Sequence, residues 1–445
     1  QKNNKPTQEF ADEISATFKN LWDEFDIGYD KFIRTTDNDH KLGVQKAFET
    51  MHTKGDIYKE EYEGWYSVFE ERFFTEKDLV DGKDPIGGRE VEKLKESNYF
   101  FKMSQYKDWL ISHYEANPSA VVPEFRLNEV KGFLRQPLGD LCISRPKSRL
   151  DWGIPIPWDN EYVTYVWFDA LLNYYSATLT PPAGKKVNWP ATYHLIAKDI
   201  LTTHAVYWPI MLHAAGLEPP KQILAHGYWL AKDSVKMSKS IGNVVRPLDM
   251  AEYFGTDGLR YVLMREMVLG QDAAFTMESF IKRYNSDLAN DYGNLLSRVS
   301  NLIQKFFDGK LPDSDDKSES GEQVKFSAIT TIKMVNECFD SMRLNDGIEE
   351  SLQFIRSVNK YMEMKAPWKL VKEDKETAGC VLRTAAEALR IGSLLLKPVM
   401  PSRTQIVLDT FGSNSDDVKW GGLTDGFNLK KHDILFPRIE VKSNI

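Results

Sequence analysis

Two short runs, His194–Ala197 and Gln222–Ala225, flank a helical stretch from about Ile200 to Ala215 that Gly216 ends. Strand, helix, strand at this spacing admits essentially one local topology, two parallel strands joined by a right-handed crossover. The unit commits the chain to a doubly wound α/β sheet, where ligands lie beyond the carboxyl ends of the strands. The residues at those ends are Lys198-Asp199 and His226-Gly227. A third run, Tyr162–Trp167, is expected to bring Trp167 to Asp169 to the same edge, with Asp169 capping a helix that reaches Leu179.

Past the crossover, Tyr228–Asp233 leads within two residues to Lys236-Met237-Ser238-Lys239-Ser240, closed by Gly242. Such a loop offers two ammonium groups that can close over a polyphosphate and neutralise the charge that builds as pyrophosphate leaves. Taken alone, the string also suits a solvated surface loop. Asp199 could accept hydrogen bonds from a ribose or serve as an ordinary helix cap. His226-Gly227 leaves bare backbone where a flat base could approach. Ile200 and His204 are four apart and share one helix face. With Trp167 and Tyr174 they suit a slender apolar side chain carrying a weak acceptor, such as a thioether. The competing reading keeps Trp167 and Ile200 as plain core and His204 as a satisfied core histidine.

Upstream, Gln1–Phe25 reads as one amphipathic helix through Phe10, Ile14, Phe18, Leu21, Trp22 and Phe25. From Phe32 to about Asp151 short β-type runs and turn signals predict a self-contained α+β insertion, with a helix Ser104–Glu115 capped by Ser104. From Phe254 onward the pattern is almost wholly helical. Leu259–Glu266, Met277–Phe307, Ser327–Met342, Asn345–Met364 and Thr377–Leu396 predict a bundle, with Pro312–Gln323 a solvated loop. Asn294 and Arg298 share a helix face, and Pro367-Trp368 follows a long helix. An exposed tryptophan beside Asn and Arg is what reading unstacked RNA bases needs, although a polar helix face and a core tryptophan fit the same periodicity.

Bulk properties restrict the partners. The net charge of −8 supplies no global field for nucleic acid, so RNA contact must come from a local patch or from stacking. Three cysteines (Cys142, Cys338, Cys380) form no C-x-x-C, which argues against a disulfide framework and a zinc knuckle and fits a reducing compartment. No run of 18 or more apolar residues predicts a membrane span. The polar, mixed-charge start of the chain as given is not a signal peptide. A chain of 445 residues is expected to hold two to four domains.

The lysine loop, Phe32-Ile33-Arg34-Thr35-Thr36, Gly55-Asp56-Ile57-Tyr58, Tyr62-Glu63-Gly64-Trp65-Tyr66 and Asp151-Trp152-Gly153-Ile154-Pro155 occur in the order found in one family. So do Tyr165-Val166-Trp167-Phe168-Asp169-Ala170-Leu171, Lys198-Asp199-Ile200, Asn294-Leu295-Leu296-Ser297-Arg298 and Ala366-Pro367-Trp368. Through these blocks the chain resembles the class I methionyl-tRNA synthetases from Gln1 to nearly Ile445. The resemblance implies a Rossmann-like α/β catalytic domain with an α+β connective-peptide insertion, followed by an all-α anticodon-binding helical bundle. Its implied divisions are 1–31, the remainder of the first half of the catalytic domain, and 32–151, the insertion. Next come 152–228, the second half, then 229–268, the lysine loop and stem-contact region, and 269–445, the anticodon-binding domain.

The same resemblance implies the site. Trp167, Ala170, Tyr174, Ile200 and His204 would take methionine, the Tyr and His reaching the sulfur. Asp199, His226, Gly227 and the loop Lys236, Met237, Ser238, Lys239 and Ser240 would hold ATP, supplied with Mg2+, and Lys236 and Lys239 would act on its phosphates. Asn294, Arg298 and Trp368 would read the anticodon of the methionine tRNA. Ser67, Phe69 and Glu70 stand where zinc-bearing members carry cysteine pairs, so no structural zinc is expected. A monomer free of membranes is expected, in the cytoplasm or alternatively the mitochondrial matrix. The other class I signature, His-x-Gly-His, is absent and is expected upstream of Gln1. A chain truly lacking it would be a non-catalytic tRNA-binding module.

Overall fold

A computed structural model describes residues 5–67, 72–74, 76–85, 88–186, 188–231, 235–237, 243–413 and 415–440. Ser238, Lys239 and Ser240 of the lysine loop, and Phe69 and Glu70 of the insertion, lie outside the described residues. The chain divides into two compact units, residues 28–226 and residues 1–27 with 227–445. The opening helix α1 (Thr7–Glu24) belongs to the second of these.

Within residues 28–226, α2 (Asn38–Thr53) precedes a long antiparallel ribbon of β1 (Ile57–Ser67), β2 (Arg72–Phe74) and β3 (Glu92–Phe101). Its exposed face carries cross-strand ion pairs, Lys93 with Glu63 at 2.9 Å and Lys95 with Glu61 at 3.0 Å, which fix register more than they add stability. Next come α3 (Lys107–Ala116), β4 (Val121–Val122), α4 (Glu124–Leu134), β5 (Leu141–Cys142), β6 (Ser144–Pro146), β7 (Pro155–Ile156) and β8 (Asp159–Thr164). The unit ends with α5 (Val166–Ala170), α6 (Asn173–Leu179), β9 (Tyr193–Ala197), α7 (Trp208–Ala214) and β10 (Gln222–His226). The expected parallel crossover is present: β10 pairs with β9 from Gln222↔Tyr193 to His226↔Ala197.

Its surroundings differ from the sequence reading in three ways. The run ending at Trp167 stops at Thr164 as β8, which lies between β6 and β7 in a separate antiparallel sheet. The third parallel strand is instead β4, whose Val121 and Val122 pair with Ile223 and Leu224 of β10. The stretch 32–151 is therefore not self-contained, and one core runs from Val44 to Ala225. Finally, Ser104 caps nothing. It sits in a 3-10 turn, Met103–Tyr106, and its N–H donates to Asp140 Oδ1 at 3.1 Å. Gly153 has a packing reason, since a Cβ there would lie 2.8 Å from Val163 Cβ.

The second unit adds β11 (Trp229–Leu230), α8 (Pro247–Glu266), β12 (Ala273–Ala274) and α9 (Met277–Arg283). The chain continues from α9 through a π-helical stretch, Tyr284–Gly293, into α10 (Asn294–Phe306). The bundle is completed by α11 (Glu319–Asp340), α12 (Leu344–Lys365), the short α13 (Pro367–Leu370), α14 (Lys375–Leu396) and α15 (Pro401–Thr410). Every residue of α14 from Val381 to Leu396 is buried, which makes it the central helix. Arg390 and Glu387 form a buried pair on it at 2.8 Å, and Glu387 Oε1 also accepts the N–H groups of Gly421 and Gly422. Pro312–Gln323 is not simply a solvated loop, because α11 starts at Glu319 behind the Ser318 cap. The adjoining Asp316 is buried, taking hydrogen bonds from Tyr361 Oη at 2.8 Å and Ser318 Oγ at 2.8 Å. No helix among the described residues is long and apolar enough to cross a membrane.

Candidate active site and nucleic-acid interface

The parallel register of β9 and β10 brings Ala197 and His226 side by side at the carboxyl edge. The chain leaves β9 through a tight turn, Lys198–Ile200, on which Asp199 is exposed and Ile200 half-buried. It then widens into a π-helical turn, Thr203–Tyr207, before α7. Single π turns inside helices commonly mark functional sites, because the wider turn redirects one side chain. His204 lies in this turn and is 3% exposed.

His204 Nδ1 lies 2.9 Å from the Ile200 carbonyl, and its Nε2 lies 2.9 Å from Tyr174 Oη. A carbonyl only accepts, so Nδ1 carries the proton, Nε2 is bare, and Tyr174 donates to it. Burial lowers the His204 pKa below its usual value and keeps the ring neutral. Trp167, Tyr174 and Ile200 pack half-buried on the same core, and Ala170 lies one turn from Trp167 on α5. The polar pair thus satisfies itself inside an aromatic and aliphatic surround. A charged or strongly polar side chain entering there would meet a pair already bonded to itself and would lose about 1–3 kcal/mol or more of solvation. A thioether, a weak acceptor that favours aromatic edges, would lose little.

Two residues not named for the site from sequence support this pair. His194 stacks on Tyr174 with ring centroids 4.0 Å apart, and Trp208 Nε1 donates to His194 Nε2 at 3.0 Å. Burial pushes the His194 pKa down to about 4, which makes it a neutral acceptor. The four-residue spacing of His204 and Trp208 was the available signal. Nothing local marks His194.

Asp169, expected as a cap, lies inside α5 and is buried; the N-cap position is Tyr165. Burial raises its pKa from 3.8 to about 7, opposed by a hydrogen bond with Thr164. The folded pKa exceeds the unfolded one, so ionisation works against the fold as pH rises from about 4 through 7. The full cost above pH 7 is on the order of 4 kcal/mol. Asp169→Asn is therefore expected to raise the unfolding free energy by a few kcal/mol at pH 8 and by less than half as much at pH 5. Urea unfolding at the two pH values measures this; equal gains at both would show that the carboxyl does not hold its proton.

In the other unit, Gly227 is buried and a Cβ there would lie 2.1 Å from Gln271 O. The bare backbone at this position is thus already required by Gln271. Lys236 is exposed, its ammonium 4.8 Å from the centre of the Tyr228 ring, while Met237 packs half-buried on the bundle core. Asn243 Nδ2 donates to the Lys236 carbonyl at 3.3 Å.

The second candidate site is wholly within the bundle. Asn294 and Arg298 stand one turn apart on α10, directly after the π-helical stretch. Ala366, held at φ 42°, turns the chain sharply between α12 and α13, with Pro367 as the first residue of the new helix. The turn sets the Trp368 ring 5.1 Å from the Arg298 guanidinium carbon, and Glu363 Oε1 lies 3.8 Å from Arg298 Nη1. A hollow of about 380 Å³ opens beside them, walled also by Asn290, Asn301 and Asn359. Primary amides donate and accept together, as the edges of unpaired bases demand. Asn290 and Asn301 continue the 294, 298 stripe in either direction and could have been named from their spacing; Asn359 comes from α12 and could not.

Residues 1–93 and 75–300 match the family described as tRNA synthetases class I (M), and residues 311–441 match the anticodon binding domain of methionyl tRNA ligase. The methionine–tRNA ligase of Caldanaerobacter subterraneus subsp. tengcongensis is 43% identical over 98% of this chain and 70% of its own length. That of Clostridium tetani is 44% identical over 98% of this chain and 69% of its own. A solved structure, Mycobacterium tuberculosis methionyl-tRNA synthetase in complex with methionyl-adenylate, superposes with a TM-score of 0.91 at 37% identity, covering 98% of this chain and 88% of that one.

Proposed function

The chain belongs to the class I methionyl-tRNA synthetases, and we propose that Trp167, Ala170, Tyr174, Ile200 and His204 hold its methionine. In the same reading Asp199, His226 and Gly227 hold the nucleoside, Lys236 and Lys239 with Met237, Ser238 and Ser240 act on the phosphates, and Asn294, Arg298 and Trp368 read the anticodon. The reaction is that of a methionine–tRNA ligase. The methionine carboxylate attacks the α-phosphorus of ATP, the bond to the β,γ-pyrophosphate breaks, and methionyl-adenylate forms. A hydroxyl of the terminal tRNA ribose then attacks the activated carbonyl and AMP leaves. No side-chain nucleophile is needed, so the protein contributes positioning and charge stabilisation.

The observation that carries the methionine assignment is the neutral, self-satisfied Tyr174–His204 pair, 2.9 Å apart. Among the described residues no three His, Cys, Asp or Glu side chains cluster to hold a metal. In this reading magnesium enters with ATP, held by the phosphates themselves. We take the active unit to be a monomer. A cytoplasmic setting agrees with the bacterial relatives and the three free cysteines.

Pyrophosphate exchange by the full-length protein tests the reading. Methionine should drive exchange, with leucine and cysteine each at least about 100-fold less effective, the order of discrimination expected where shape and polarity both differ. Exchange driven equally by leucine would overturn the pocket assignment.

A further inference from the structure

We propose that the groove between α10 and residues 429–434 is a second RNA subsite, which grips backbone phosphates of the anticodon-loop strand beside the base taken by Arg298 and Trp368. It rests on the reading of those two residues as base contacts. A hollow of about 380 Å³ lies there, and it shares Ser297 and Asn301 with the hollow at Arg298. The two are therefore neighbours along one helix. From Asn294 to Gln304, which lines the second hollow, the helix rises about 15 Å, room for more than one nucleotide.

The chemistry of the second hollow differs from the first. The first is walled by amides, with its charges internally matched: Arg298 faces Glu363 and Asp291 faces Arg356. The second carries Lys430 and Lys431, both exposed and with no ion-pair partner among the described residues, and its lining includes one acid, Asp433. Elsewhere in the bundle Lys365 and Lys397 are committed to carboxylates, Asp316 and Asp416. Two unmatched ammonium groups on a chain of net charge −8 form the local patch that phosphate binding requires.

The segment is also held ready. Leu429 N–H donates to the Gly309 carbonyl at 2.8 Å and Lys430 N–H to the Thr410 carbonyl at 3.2 Å. His432 Nε2 lies 2.9 Å from Ser300 Oγ on α10, and Leu435 and Phe436 are buried just beyond. Both ends of the lysine pair are thus tied to the bundle, so little backbone ordering is required when a strand arrives.

The test is binding of methionine tRNA, and of the same tRNA with a changed anticodon, by the full-length protein over a range of salt. The Lys430→Ala/Lys431→Ala double variant should bind both tRNAs about tenfold more weakly at low salt. Its salt slope should fall by about 1.4, near 0.7 for each single-strand phosphate that a lysine no longer neutralises. The ratio between the two tRNAs should not change, and the double arginine variant should keep the wild-type slope. An unaltered slope, or a collapsed ratio, overturns the proposal. Trp368→Ala in parallel should collapse the ratio. If it does not, the base-reading assignment falls, whereas the lysine subsite is judged on its slope.

Discussion

Lys239→Ala is expected to cut methionine-dependent pyrophosphate exchange by roughly 100- to 1,000-fold, the loss typical when one fixed group facing transition-state charge is removed. That factor is about 3–4 kcal/mol of transition-state stabilisation. It should appear in kcat for exchange and leave methionine affinity nearly unchanged, because Lys239 is not among the residues proposed to hold methionine. Lys236→Ala should cost less. The Lys236 ammonium lies 4.8 Å from the Tyr228 ring, a contact of about 0.5–1 kcal/mol at an exposed site that competes with any role on the phosphates. Comparable losses in exchange rate and methionine affinity, or no loss in either, would remove Lys239 from the phosphate role. Calorimetric titration with methionine beside the exchange assay separates these outcomes.

Trp368→Ala is expected to lower kcat/KM for tRNA charging by about 10- to 100-fold, the cost of roughly 1–3 kcal/mol for one stacked base. Arg298→Ala should lose a similar amount, since a charged hydrogen bond to a base edge falls in the same range. The two losses should not add, because the guanidinium carbon is 5.1 Å from the Trp368 ring and each side chain holds the other. Pyrophosphate exchange, which needs no tRNA, should be unchanged in both. A variant that loses exchange in proportion to charging would show that the substitution disturbs the fold instead of the interface.

Much of this chain's organisation is local and therefore legible. The crossover between β9 and β10 announces itself through spacing, and the bundle helices through a 3.6-residue period. Most helix limits move only a few residues between expectation and structure, as for Asn345–Met364 against Leu344–Lys365. Two starts lie further off: Ser318 begins α11 early, and α8 begins at Pro247 instead of Leu259, with a non-helical Gly255 (φ 67°) between its two parts. The third parallel strand was not legible. Val121–Val122 is two residues long, and a stretch so short has no pattern that names its neighbour. Asp169 misled because Asp is a frequent cap, and burial of its carboxyl depends on the core packed around α5, not on adjacent residues.

By itself, then, the amino-acid sequence determined the family, the parallel crossover, the helical second half and the names of the residues worth testing. These rest on short-range order: period, spacing and contiguous strings. Only the tertiary structure decided how those residues meet. The π turn that places His204, the donor and acceptor roles in its bond to Tyr174, and the ring of His194 stacked on that tyrosine all depend on packing between distant segments. The same holds for His432, which reaches Ser300 across 132 residues of chain. Such contacts leave no local trace, because the free energy that selects them is shared among side chains that meet only after the chain has folded.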